Sequence, residues 1–393
     1  MHQKSMTFIY AIVVIVPITF AIRASNNMIA TTVPLLVKYY FDFNSAEVGL
    51  LSALSSLGSL ITSGILNSRM NAMTRRRAFI ASSIAYAIIL PSFYVAGPVT
   101  IWALSALAGM SLGLVMPNII TSAGLVKDKK SRERILAIYT VALSLSLVLG
   151  PLIETAMLSM VTIPWVFLMF SPFGILAAII SFFLQFPEEQ KKSVKVRVYR
   201  NPGFRVAIYN NTAYSIPFAF IVVFAGIYAR NQFDVSFAIA TALYSLFYTT
   251  SFISRLALSI RPIERIGTVT TFSITLTALG LLMATLTKNL YLYMGSLLIL
   301  GVPHGLTYPV SLISISRSFK IEERNVANSQ FFAFMTMITI AVMPLTGVLA
   351  QAVGLKNVFA LLVPFVLLLF ALMRRDIVAM EKMNALDAST LHG

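Results

Sequence analysis

The chain has 393 residues, 58% of them hydrophobic and only 11% charged, with 30 Lys and Arg against 14 Asp and Glu for a net charge of +16. This composition excludes an ordinary water-soluble domain and points to a chain dissolved in lipid. Cysteine is absent, which removes disulfides, thiolate metal sites and cysteine nucleophiles together.

Apolar runs of about 17 to 25 residues recur from end to end, each long enough to cross a hydrocarbon core of about 30 Å as a helix. Twelve spans are predicted, at 8–37, 46–68, 78–96, 99–125, 135–158, 163–186, 204–229, 235–260, 268–287, 290–314, 326–350 and 357–373. Strand alternation is absent, and unpaired backbone is too costly in lipid, so the expected fold class is an all-α polytopic bundle. The first span, after the head "MHQKSM", outruns the apolar core of a secretory signal and is expected to stay as a helix.

Span 1 carries one polar stripe: Thr19, Arg23, Asn26 and Asn27 share a face at spacings of three and four. Span 5 carries Glu154, the only acid away from the ends of the predicted spans, Glu47 standing at the start of span 2. At about 1.5 Å per residue, Arg23 and Glu154 are expected at one level in the outer half of the membrane. Two readings follow. The pair is a static salt bridge, or Glu154 takes and releases a proton and frees Arg23 to hold an anionic substrate.

Span 7 offers Asn211, Tyr214 and Ser215 before Pro217, and span 8 stacks Tyr244, Tyr248 and Phe252 at helical spacing, either as packing or as substrate wall. In span 10, "LGVPHGLTYP" sets His304 one turn before Tyr308. Its ring is read either as neutral and hydrogen-bonded to Tyr308 or a carbonyl, or as a proton carrier. Pro17, Pro117, Pro151, Pro217, Pro309 and Pro344 mark candidate kinks.

The basic residues are distributed unevenly. Of the 30 Lys and Arg, 25 fall in the head, the tail and the even-numbered connections, counting Arg205 and Arg255 toward the span edges with them, four in the odd-numbered ones, and Arg23 lies within the membrane. Basic loops mark the cytoplasmic side, so both termini are expected there. Nucleic acid is not an expected partner, because the basic clusters are short, separated by spans and without interleaved aromatics.

"AGMSLGLVMP" and "LGVPHGLTYP" repeat at one offset of 192 residues, which carries Gly109, Gly113 and Pro117 onto Gly301, Gly305 and Pro309, and Arg69 and Arg132 onto Arg261 and Arg324. Two six-helix halves of common design follow, 1–187 and 204–393, joined by a polar cytoplasmic linker at 188–203.

Twelve spans, a six-plus-six duplication and a basic middle loop resemble the major facilitator superfamily of secondary transporters. "GILNSRMNAMTRRR" keeps Gly64, Arg69 and the basic run Arg75 to Arg77 of the family's motif between helices 2 and 3, with Ser68 in place of its acid and Asn71 in place of its second glycine. Helix 4 keeps Gly109, Gly113 and Pro117 of the family's glycine-rich pattern, and "LGPLIE" keeps Gly150 and Pro151 of the helix 5 motif found in many antiporters. The resemblance implies gating roles for Gly64, Arg69, Gly150 and Pro151. It implies a cavity lined largely by helices 1, 4, 7 and 10, with helices 1 and 5 as neighbours.

No paired carboxylates, phosphate loop, metal-ligand cluster or nucleophile-base set occurs, so neither an enzyme nor a cofactor is expected. The expected function is proton-coupled secondary transport of a small organic solute by alternating access. The protein is expected to be a monomeric multi-pass protein of the plasma membrane, with lipid, protons and the solute as its partners. Export of amphipathic compounds and symport of an organic anion stay open within that class; a channel or a membrane-embedded enzyme lies outside it.

Overall fold

The computed structural model describes residues 9–67, 69–123, 129–186, 196–260 and 263–390. Twelve of its helices are long and apolar enough to cross a membrane. The first six are α1 (Val16–Tyr40), α2 (Ser45–Leu60), α3 (Ala72–Ser92), α4 (Thr100–Ala123), α5 (Lys129–Leu158) and α6 (Ile163–Ser181). The second six are α7 (Pro202–Phe233), α8 (Phe237–Ile260), α9 (Ile266–Leu286), α10 (Leu290–Ser318), α11 (Ile321–Val353) and α12 (Leu355–Thr390). A π-helical turn, Ala11–Ile15, leads into α1, and a second, Ile61–Asn67, continues α2. The fold is all-α, and each predicted span coincides with one helix.

The helices outrun their apolar segments where nothing breaks them. α12 continues through Arg374 and Arg375 to Thr390, because arginine is a good helix former and no glycine or proline intervenes. Asp376 on this extension receives bonds from Arg205 Nε at 3.0 Å and Nη2 at 2.5 Å, near the start of α7. α11 begins five residues before its predicted span, where the Glu323 carboxylate accepts from the backbone N–H of Lys320 at 3.2 Å.

The chain forms two compact units, Met1–Gln190 with Asp234–Ser245, and Lys191–Phe233 with Leu246–Gly393. In the first, α1 packs on α5 and α6, α2 on α4, and α3 on α4 and α6. In the second, α7 packs on α10, α11 and α12, while α9 packs on α10 and α12. α7 and α1 are the most enclosed helices, with 83% and 61% of their most apolar windows buried. The greater part of the expected linker at 188–203 lies outside the described residues, as do Arg261 and the side chain of Arg132.

The offset of 192 recurs in the geometry of the helix ends. α1 and α7 are each followed by an aspartate in the left-handed region, Asp42 at φ 56° and Asp234 at φ 50°, the only non-glycine residues with positive φ among those described. Two residues on, Asn44 Oδ1 accepts from the Glu47 N–H at 3.0 Å, and Ser236 Oγ accepts from the Ile239 N–H at 3.2 Å, capping α2 and α8 alike. Along the helices, a Cβ added to Gly109 would overlap the Ser55 carbonyl and one on Gly113 that of Ser59; on Gly301 and Gly305 it would overlap those of Phe247 and Ser251. Each contact maps onto its counterpart by the same 192 positions, so α4 lies on α2 as α10 lies on α8.

Candidate functional site

In the first unit the buried acid sits where α5 meets α1. A Cβ on Gly150 would stand 3.3 Å from the Ala24 Cα, so the two helices are nearly in backbone contact one turn before Glu154. That approach delivers the Glu154 carboxyl, fully buried, to two hydroxyls of α1: Thr31 Oγ1 donates to Oε2 at 3.1 Å and Thr32 Oγ1 to Oε1. No cation forms an ion pair with it among the described residues.

Arg23 lies elsewhere. Its Nη2 donates to the Tyr139 hydroxyl at 3.4 Å, and Tyr139 is on α5 four turns before Glu154. The salt bridge considered from sequence is therefore not formed. The physical reason is that α5 starts at Lys129, earlier than its predicted span, so Glu154 stands further along its helix and meets α1 at Thr31 and Thr32, about two turns past Arg23. The two groups thus diverge by more than a shared count of residues implies.

The rest of the α1 stripe stays together. Asn27 is buried and Asn26 half-buried, while Thr19 Oγ1 is buried without a hydrogen-bond partner among the described residues. Behind the stripe, Ser25 donates to the Ala21 carbonyl at 2.7 Å and accepts from the buried Tyr86 hydroxyl at 3.0 Å, which fixes α3 to α1. Pro151 is buried beside Gly150, and its carbonyl accepts from Thr155 Oγ1 at 2.7 Å. Gly64 and Arg69 are exposed, Gly64 within the π-helical continuation of α2. Tyr244 is buried and groups with this first unit.

In the second unit His304 is enclosed by rings from two other helices. Centroid distances are 4.4 Å to Phe218 and 5.9 Å to Tyr214 on α7, and 5.2 Å to Phe247 and 5.5 Å to Tyr248 on α8. Its Nδ1 is 2.7 Å from Ser251 Oγ. The bond runs to Ser251 rather than to Tyr308, because the Gly305 contact draws the α8 backbone onto α10 at that residue. Tyr308 is 43% exposed and packs toward Phe331 at 6.2 Å.

Of the α7 candidates, Tyr214 donates to the Leu300 carbonyl at 2.9 Å, and Asn211 Nδ2 donates to Ser215 Oγ at 2.8 Å and lies 2.7 Å from Met335 Sδ. The structure adds residues not singled out from sequence: Thr31 and Thr32 on Glu154, and Phe218, Phe247 and Ser251 around His304. Asn210 joins them, donating to the Thr307 carbonyl at 3.1 Å and to Ser311 Oγ at 3.0 Å. Arg255 lies within electrostatic reach of Tyr214, Tyr248 and His304. No group of three or more His, Asp or Glu able to hold a metal occurs among the described residues.

This arrangement can hold a proton at a carboxyl and a ring system at an imidazole; Ser251 and His304 bond to each other, and no acid is paired with the imidazole among the described residues. No curated protein matches the chain by sequence. Solved structures match its fold. A bacterial homolog of the human lysosomal transporter Spinster, inward-facing and unoccupied, shares 15% identity at a TM-score of 0.71, covering 96% of this chain and 98% of that one. A POT family transporter in complex with a thioalcohol-conjugated peptide shares 11% at 0.77, over 93% and 96%. A variant of the nucleoside transporter NupG shares 12% at 0.70, over 94% and 99%. The sequence profile described as Major Facilitator Superfamily matches residues 15–302 and again 211–384, the two matches together running through nearly all twelve helices. With that coverage, the twelve-helix fold and the repeated helix contacts, the chain belongs to the major facilitator superfamily and is a transporter, not an enzyme.

Proposed function

We propose that the protein is a secondary active transporter that moves a small organic solute across the plasma membrane by alternating access, coupled to a proton bound at Glu154. The observation that carries this reading is an acid fully buried within a transporter's span, bonded to two hydroxyls and, among the described residues, to no cation. A carboxyl so placed is stable neutral and becomes costly when ionised, unless a conformational change rehydrates it. Hydroxyls serve both states, since each can donate to a carboxylate or accept from a carboxylic acid.

The α1 stripe of Arg23, Asn26 and Asn27 supplies a cation and amides for an anionic or strongly polar group of the solute. Asn211, Tyr214 and Ser215 on α7, Tyr244 and Tyr248 on α8, and His304 and Tyr308 on α10 supply rings and amides for its remainder. Arg23 favours an organic anion; the Gly150–Pro151 motif favours export of an amphipathic compound. In this reading the protein works as a monomer, with both termini and the basic loops on the cytoplasmic side.

Counterflow in proteoliposomes tests carrier action, using labelled alanylalanine, uridine, lactate and tetraphenylphosphonium as probes. At least one probe is expected to accumulate transiently against a trapped unlabelled excess of itself, with saturation. Permeation that grows linearly with concentration and shows no counterflow would indicate a channel instead.

A further inference from the structure

We propose that the cleft between α9 and α12 is a binding site for an acidic phospholipid, whose phosphate lies between Arg265 and Arg374 and whose acyl chain runs along Phe272 and Phe370. The cleft holds about 590 Å³ and opens on the outside of the bundle, where Phe272 and Val378 are each 53% exposed. A second cavity of about 630 Å³, on the other side of α9, shares Arg265 and Phe272 with it and is walled by Leu258, Val302 and Leu306. One guanidinium thus stands at the head of two apolar grooves separated by a helix, which suits a head group with two tails.

Charge decides which lipid. Arg265 and Arg374 are exposed, and neither guanidinium has a hydrogen-bond or ion-pair partner among the described residues. The one acid on the rim of the first cleft, Glu381, is turned toward the start of α9, its Oε1 being 2.9 Å from where a Cβ on Gly267 would stand. There the helix dipole offsets its charge. Both arginines are left to face the cleft mouth, at the end of the bundle that carries the basic loops. Basic clefts between membrane helices at that level attract anionic head groups, and guanidinium binds phosphate through paired donors.

The site is also preorganised. Arg317 at the end of α10 donates through Nη1 to the Glu264 carbonyl at 3.0 Å and through Nη2 to the Ile263 carbonyl, which fixes the loop that carries Arg265. Gly267 lets α9 press on Ile377 of α12, so the cleft floor is closed.

The test uses Phe272→Trp as a reporter in a chain carrying Trp102→Phe and Trp165→Phe, reconstituted with equal fractions of brominated phosphatidylglycerol or brominated phosphatidylcholine. The brominated acidic lipid is expected to quench with about five- to thirtyfold higher relative affinity, as one or two basic groups provide. Arg265→Gln with Arg374→Gln should bring the ratio close to one, while Arg76→Gln with Arg77→Gln, in the basic loop of the other unit, should leave it unchanged. Equal quenching by the two lipids in the parent chain would overturn the proposal, as would a preference that survives the double arginine variant. The preference is expected to survive millimolar inorganic phosphate; its loss there would overturn the lipid as the working occupant, since free phosphate at ordinary concentration would then hold the site.

Discussion

Thr31 has one hydroxyl hydrogen and three acceptors in reach: the Asn27 carbonyl at 3.0 Å, the Met28 carbonyl at 3.2 Å and Glu154 Oε2 at 3.1 Å. Only one is served at a time. When Glu154 is ionised the hydrogen goes to the carboxylate; when Glu154 is protonated its own O–H can donate to Thr31, whose hydrogen returns to the α1 backbone. The two hydroxyls can therefore bond either state, while the ionised one still requires the rehydration that a conformational change brings. Thr31→Val with Thr32→Val is expected to hold Glu154 neutral and to cost about 1–3 kcal/mol for each bond lost, less in a Glu154→Gln background, as read by melting in detergent. Arg23 does not share these partners. A cycle of Arg23→Gln, Glu154→Gln and the double variant should give a coupling below about 0.5 kcal/mol. A coupling of about 3 kcal/mol or more would mean that the two side chains pair after all. His304→Gln is expected to preserve transport, because an amide can still bond Ser251. Which residues carry charge was legible in the sequence, since an acid within an apolar span stands out. Their partners were not. Thr31 and Thr32 resemble any helical threonine, and the level at which Glu154 meets α1 depends on a helix end that hydropathy does not resolve.

Helix against helix, the molecule relies on repeated close approaches. Gly113 and Gly305 each stand where a Cβ would run into the carbonyl of a neighbouring helix, whereas Gly97 has nothing within 4 Å of its added Cβ. Gly113→Ala and Gly305→Ala should each lower stability by about 1–3 kcal/mol, while Gly97→Ala should lower it by less than about 0.5 kcal/mol. Melting temperatures of the three variants check this. Equal melting of all three would remove the packing account of the duplicated motif. The glycines and prolines of that motif were readable at their common offset because they occur in both copies. The caps at Asn44 and Ser236 repeat with different residue types, so their equivalence emerges only from the bonds they make. The π-helical turn after α2 had no sequence signal, since an extra residue per turn leaves composition unchanged.

At the scale of the whole chain, the bilayer makes the fold legible. Every backbone group must be satisfied within its own span, so a count of apolar runs is a count of helices, and all twelve were located from composition alone. Orientation follows from the basic loops: reporter fusions after Arg200 and at the C-terminus should both register as cytoplasmic, and an external signal from either would invalidate the proposed topology. The central claim is that Glu154 carries the coupling proton. The most direct test reconstitutes the parent chain and Glu154→Gln with the solute identified by counterflow, and measures both exchange and accumulation driven by a pH gradient. If the claim holds, Glu154→Gln exchanges the solute at a rate close to that of the parent but no longer concentrates it. Uphill accumulation that persists in Glu154→Gln would contradict it.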